Sequence, residues 1–205
     1  MEILDFILHV DKYLQILINQ YGGFVYFILF FIIFAETGFV ITPFLPGDSL
    51  LFIVGTFSSL NLLDIKIVYP LLLISAILGN VVNFFIGYHF GEKILRNGKF
   101  KKFIKEKHIK ETEMFFQKHG GKAVIISRFL PIFRTFVPFV AGIGKMDIHL
   151  FMIYNFVGGF TWITFFIFLG YFTGNIPFIK ENITHFIYAI ILVSLIPVVL
   201  KAIKR

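Results

Sequence analysis

Residues 36–48 read ETGFVITPFLPGD, with an acidic residue at each end and two prolines between them. The apolar stretches on either side, 24–35 and 49–60, are each twelve residues long. A helix rises about 1.5 Å per residue and needs about 20 apolar residues to cross a bilayer, so neither stretch is long enough alone. We therefore predict a re-entrant hairpin, in which two half-helices flank an irregular tip that is shielded from lipid.

A second interruption of the same kind occupies residues 128–138, which read RFLPIFRTFVP. The apolar run 123–129 ends at this interruption, and a second run resumes through Pro138 to residue 144. This pattern predicts a second re-entrant hairpin, which enters from the opposite side of the membrane. The predicted tip residues of the two hairpins are Pro43, Pro46, Gly47, Pro131, Thr135 and Pro138.

The composition indicates an integral membrane protein. Hydrophobic residues make up 58% of the 205-residue chain, charged residues make up 15%, and the mean hydropathy is +0.86. A soluble domain carries about 25% charged residues, so a soluble enzyme, a nucleic-acid-binding protein and a disordered chain are all disfavoured. The chain has no cysteine, which excludes disulfides, a thiol nucleophile and zinc–thiolate ligands. Its length predicts a single domain.

Three segments are apolar enough over a sufficient length to cross the membrane, namely 67–90, 150–172 and 183–200. Residues 2–20 alternate apolar and polar positions, which predicts an amphipathic helix at the membrane interface. The expected fold class is therefore an all-α integral membrane protein. It combines about three full transmembrane helices, the last at 183–203, with two opposed re-entrant hairpins and an N-terminal amphipathic helix.

Most of the net charge of +7 lies in residues 92–122, which hold ten basic and four acidic residues. Short loops rich in lysine and arginine remain on the cytoplasmic side of a membrane. We therefore place this loop and the C-terminus in the cytoplasm. The loop is expected to contact anionic lipid headgroups, and no nucleic-acid partner is expected.

The two hairpins belong to an internal repeat. Three shared features follow each other at similar spacings: Phe44-Leu45-Pro46 and Phe129-Leu130-Pro131, then Gly55 and Gly142, then Gly87-Tyr88 and Gly170-Tyr171. The first repeat covers about 23–91 and the second about 123–174, and the predicted topology runs them in opposite directions. Inverted repeats with broken helices are typical of secondary transporters. The paired glycines also predict close helix packing.

Four ionisable residues flank the two predicted tips: Glu36 and Asp48 at the first, and Arg128 and Arg134 at the second. Charges inside a membrane are costly and usually mark a functional pathway. Guanidinium groups bind phosphate bidentately, and burial favours the proton-bound form of a carboxylate. We expect the arginines to bind an anionic substrate and the acids to couple to protons. The structural alternatives are a helix N-cap for Asp48, an interfacial charge for Glu36, and snorkelling or ion pairing for the arginines.

These residues resemble the DedA family of bacterial inner-membrane proteins, which is related to the VTT-domain (SNARE-associated) proteins of eukaryotes. The resemblance spans about 36–174 and rests on Glu36-Thr37-Gly38, 43–48, Gly79-Asn80, Gly87-Tyr88 with Gly91, 128–131, Arg134-Thr135, Ala141-Gly142 and Gly170-Tyr171. It implies that Glu36, Asp48, Arg128 and Arg134 match the family's essential residues. It also implies a role in envelope integrity that depends on proton motive force. Family members are implicated in recycling undecaprenyl phosphate, and eukaryotic relatives scramble phospholipids.

The resemblance and the charged site together predict a proton-coupled flippase for undecaprenyl phosphate in the bacterial inner membrane. A proton/cation antiporter, a general phospholipid scramblase and a scaffold are the alternatives, and the sequence leaves the oligomeric state open, a homo-oligomer included. An enzyme is not expected, because the sequence has neither an H-E-x-x-H metal pair nor a G-x-S-x-G nucleophile. We likewise expect no cofactor and no metal.

Overall fold

The computed structural model describes residues 10–39, 47–96, 106–174 and 176–177, and these residues form helices and connecting turns without a strand. This confirms the all-α class. The helices are α1 (Val10–Tyr21), α2 (Val25–Gly38), α3 (Gly47–Ser59), α4 (Ile65–Arg96), α5 (Glu106–His119), α6 (Lys122–Ser127), α7 (Pro131–Ile143) and α8 (Ile148–Thr173).

Three stretches of the described chain are long and apolar enough to cross a membrane: Tyr13–Gly38, Ile65–Gly91 and Ile148–Thr173. The last two contain the predicted spans 67–90 and 150–172, which are therefore confirmed as long apolar helices. The predicted C-terminal transmembrane helix at 183–203 lies outside the described residues.

The N-terminal stretch differs from the expectation. A short 3-10 turn, Gly22–Phe24, joins α1 directly to α2, so Tyr13–Gly38 forms a 26-residue apolar stretch. The charges at 2, 5, 11 and 12 that suggested an interfacial helix all precede this stretch. Neither the amphipathic helix at 2–20 nor a half-helix limited to 24–35 is confirmed, and residues 2–9 lie outside the described part.

The second interruption forms a break between two helices. α6 ends at Ser127 and α7 begins at Pro131, with Leu130 in an extended conformation (φ −121°, ψ 103°) as its N-cap. Proline suits the first helical position because its missing N–H would have no partner there. Pro138, expected at the tip, instead lies inside α7. Whether either hairpin re-enters the bilayer stays a prediction.

The chain divides into two compact units. Among the described residues, the first unit comprises 10–32, 47–73, 162–174 and 176–177, and the second comprises 33–39, 74–96 and 106–161. Each unit therefore combines segments from both predicted repeats.

In the first unit, α3 and α8 cross with their backbones in contact. A Cβ atom on Gly170 would lie 2.0 Å from the carbonyl oxygen of Phe52, and a Cβ atom on Gly55 would lie 2.0 Å from that of Ile167. No other residue has a side chain small enough for this approach, so the two glycines define the crossing point.

In the second unit, α4 and α7 cross in the same way. A Cβ atom on Gly87 would lie 2.1 Å from the carbonyl oxygen of Phe139, and one on Gly142 would lie 2.1 Å from that of Phe84. In both units each glycine faces the carbonyl three residues before its partner glycine. The two crossings are thus geometrically equivalent, although the boundaries of the repeats stay a prediction.

The second unit also contains an apolar core that supports α7. Phe84 stacks on Phe151 with ring centroids 4.4 Å apart, and both side chains are buried. Helix α5, which lies in the basic segment 92–122, packs against α6 and α7. Phe115 of α5 contacts Phe133 of α7 with centroids 4.8 Å apart. Part of the basic segment is therefore an integral piece of this unit.

Candidate functional site

A buried ion pair joins the end of α2 to the start of α7. Arg134 Nη2 donates a hydrogen bond to Glu36 Oε1, and the two side chains are 2% and 0% exposed. The prediction that an acid of the first interruption faces a base of the second is confirmed for this pair. Charge-assisted hydrogen bonds of this kind are stronger than neutral ones, and a buried charge is tolerated only with such compensation.

The second predicted arginine, Arg128, is fully buried in the same unit and is held by oxygen atoms of α4 and α8. Its Nη2 atom donates to the carbonyl oxygen of Ala76 at 3.1 Å and to Asn155 Oδ1 at 2.6 Å. With its amide oxygen turned toward the guanidinium, Asn80 accepts from Nε at 3.2 Å and from Nη2 at 2.8 Å. Arg128 thus has a fixed orientation.

A third buried amide, Asn83, bridges the two helix ends that carry the ion pair. Its Nδ2 atom donates to the carbonyl oxygen of Thr37 at 3.2 Å and to that of Thr135 at 2.8 Å. Thr37 follows Glu36 and Thr135 follows Arg134 in the chain. Asn83 therefore ties together the backbone positions adjacent to both partners of the pair.

A close approach of α2 and α4 makes this bridge possible. A Cβ atom on Gly79 would lie 2.0 Å from Thr37 Oγ1 and 2.9 Å from the carbonyl oxygen of Phe34. Thr37 Oγ1 itself donates to the carbonyl oxygen of Ile33 at 2.9 Å. Only glycine at position 79 allows the end of α2 to lie this near to α4, and this end carries Glu36.

Asp48 belongs to the first unit, where it lies in the first turn of α3. Its Oδ1 atom accepts a hydrogen bond of 2.8 Å from Trp162 Nε1, and its side chain is 7% exposed. An acidic group in the first helical turn also interacts favourably with the helix dipole. Asp48 thus lies one residue inside α3, which begins at Gly47, rather than at the predicted N-cap.

The predicted tip residues have different positions. Pro43 and Pro46 lie outside the described residues, Gly47 and Pro131 begin α3 and α7, and Thr135 is buried in α7. Sequence reasoning missed Asn155 and Trp162. A polar amide and an indole N–H inside an apolar helix both require buried partners, and that requirement was the available signal. Within the described ranges, no group of three or more His, Asp and Glu side chains could hold a metal ion.

Helices of membrane-spanning length together with a buried ion pair define the chain as an all-α membrane protein. Residues 45–172 match the VTT domain. The chain is 48% identical over 205 residues to Protein DedA of Escherichia coli strain K12, covering 99% of this chain and 93% of that protein. The chain therefore belongs to the DedA family of VTT-domain membrane proteins.

Two more distant relatives are also membrane proteins by name. An uncharacterised membrane protein of Mycobacterium leprae is 37% identical over 171 residues, covering 83% of this chain and 76% of the relative. Inner membrane protein YqjA of Escherichia coli strain K12 is 32% identical over 156 residues, covering 76% of this chain and 70% of the relative. No solved structure is significantly similar to the chain.

Proposed function

We propose that this protein is a flippase that moves a lipid phosphate across the inner membrane, with undecaprenyl phosphate as substrate and protons as coupling ions. The observation that carries the proposal is the buried ion pair between Arg134 and Glu36. The name of the relative YqjA, an inner membrane protein, supports the location. We assign transport to the site rather than covalent chemistry.

Protonation of Glu36 changes the partner that Arg134 requires. While Glu36 is ionised, its carboxylate compensates the charge of the guanidinium. Arginine keeps its proton at any ordinary pH, so a protonated Glu36 leaves a buried cation that needs another anion. A phosphate group has the charge and the oxygen geometry that match the guanidinium fork. Proton arrival therefore exchanges the carboxylate for the substrate.

The other two ionisable residues that flank the predicted tips, and the basic segment, extend this assignment. Arg128 is a second ligand for the phosphate, and Asp48 is a second group for proton coupling. The basic segment 92–122 lies on the cytoplasmic side with the C-terminus, where its lysines attract anionic headgroups.

The test is translocation of labelled undecaprenyl phosphate in proteoliposomes, with and without a pH gradient. The variants are Glu36→Gln and Arg134→Ala, and the matched control is Glu113→Gln, since Glu113 is exposed on α5. We expect gradient-driven transport by the wild type and the control. Arg134→Ala should lose transport, and Glu36→Gln should lose its response to the gradient.

Other results would replace the proposal. Equal movement of the lipid by all four proteins contradicts a role for the ion pair. Proton flux that depends on an added cation and needs no lipid phosphate indicates an antiporter. Gradient-independent movement of ordinary phospholipids indicates a scramblase.

A further inference from the structure

The guanidinium of Arg128 is surrounded by two asparagine side chains from different helices. Asn80 on α4 and Asn155 on α8 are both fully buried. The amide oxygen of Asn80, turned toward the guanidinium, accepts hydrogen bonds from Nε and Nη2 of Arg128. Asn155 Oδ1 accepts a hydrogen bond of 2.6 Å from Nη2. These contacts determine the direction in which the guanidinium plane lies.

The amide of Asn155 has one fixed orientation. Its Nδ2 atom donates to the carbonyl oxygen of Ile77 at 3.1 Å, so its Oδ1 atom is directed to Arg128. The backbone of α4 thus fixes the orientation of the Asn155 amide, and this amide in turn helps to fix the orientation of Arg128.

The amide of asparagine and the carboxylate of aspartate have nearly the same shape, but they differ in charge. Asparagine and aspartate both offer an acceptor oxygen at the same reach, but only aspartate cancels the positive charge of a guanidinium. Two amides therefore fix the orientation of Arg128 while adding no negative charge to its surroundings.

We infer that Asn80 and Asn155 are positioning residues that orient Arg128 toward the phosphate group of the substrate and add no negative charge beside it. This inference rests on the proposed function and deepens it, because it requires that the substrate be an anion at the moment of binding. The shared chemistry is a phosphate, carried either by a lipid or as a free ion.

The sharpest test compares two substitutions at one position, Asn155→Asp and Asn155→Ala. The aspartate keeps a hydrogen bond to Arg128 and adds a negative charge beside it, whereas the alanine removes the hydrogen bond and adds no charge. Binding of undecaprenyl phosphate to the purified full-length protein should fall about tenfold or more in Asn155→Asp, because a charge-assisted bond to the anion is weakened. Asn155→Ala should lose less of this binding than Asn155→Asp. A merely structural role predicts the reverse order.

Two controls separate charge from folding. Asn61→Asp adds the same charge at an exposed turn position and should bind like the wild type. Asn80→Asp repeats the test from the other helix, so the inference stays falsifiable if Asn155→Asp does not fold. Apparent melting temperature in detergent is measured for every variant, and Asn155→Asp should melt at or above Asn155→Ala.

Arg128→Ala distinguishes failure of this inference from failure of the proposed function. If Arg128→Ala binds undecaprenyl phosphate like the wild type, the arginine is not a phosphate ligand and the proposed function is overturned at this site. If Arg128→Ala loses binding while both aspartate variants keep it, the function stands and the inference is wrong. Equal binding of uncharged undecaprenol also overturns the inference. Competition by inorganic phosphate supports it and assigns the site to the phosphate group itself.

Discussion

Replacing Gly170 with alanine should push α3 and α8 apart in the first unit. The added Cβ atom would lie 2.0 Å from the carbonyl oxygen of Phe52 and 3.0 Å from the backbone nitrogen of Thr56, whereas ordinary contact begins at 3.4 Å. The helices must therefore separate by about 1.4 Å at the crossing. Because both obstacles are backbone atoms, no change of rotamer can relieve the clash.

The expected loss of stability follows from opposing terms. Overpacking of this kind costs about 3 kcal/mol, and the separation also stretches the 3.3 Å hydrogen bond from Thr56 Oγ1 to the carbonyl oxygen of Gly170. Alanine returns about 1 kcal/mol through its higher helix propensity. The net loss is about 2 kcal/mol, which lowers the melting temperature of a chain of this size by about 4–8 °C.

The assay is the apparent melting temperature of the protein purified in detergent, with Gly23→Ala as the control. Nothing lies within 4 Å of a Cβ atom on Gly23, so that variant should melt like the wild type. Gly87→Ala should cost as much as Gly170→Ala, because its Cβ atom meets the Phe139 carbonyl at 2.1 Å. If Gly170→Ala has the same melting temperature as Gly23→Ala, the proposed backbone contact is wrong.

Three further outcomes are expected from the buried polar contacts. Glu36→Ala should lower the free energy of unfolding by about 3–5 kcal/mol, because it removes the carboxylate paired with Arg134; the double variant with leucine at both positions should recover much of the loss. Asn83→Leu should cost about 1–3 kcal/mol, because two buried carbonyl oxygens lose a donor, and amide hydrogen exchange at the end of α2 should accelerate. Trp162 is the single tryptophan of the chain, so its fluorescence should shift in Asp48→Ala, which removes the acceptor of its indole N–H.

Each of these predictions has a matched control at an exposed residue. Glu113→Ala, Asn19→Leu and Asp64→Asn alter solvent-exposed side chains and should change stability by about 0.5 kcal/mol or less. Additive losses in the Glu36 and Arg134 double variant would contradict the coupling of that pair. Unchanged exchange in Asn83→Leu, or unchanged fluorescence in Asp48→Ala, would contradict the corresponding hydrogen bond.

Local sequence features predicted the long helices and the second break correctly. The uninterrupted apolar segments within α4 and α8 require helices, because only internally hydrogen-bonded backbone is stable in lipid. Pro131 marks a helix start because proline has no N–H to donate and fits the first helical position. The prediction differs from the structure at Tyr13–Gly38, because it gave the charges that precede this stretch more weight than the apolar length of the stretch.

By itself, the sequence determined the class of protein, its family and the identity of the four charged residues, because these depend on composition and on neighbouring positions. The choice of partners was decided only by the tertiary structure. Glu36 and Arg134 are 98 residues apart, and Asp48 and Trp162 are 114 apart, so no local pattern predicts that they meet. Which donor reaches which acceptor depends on where the glycine contacts let the helices approach, and that is a property of the packed helices.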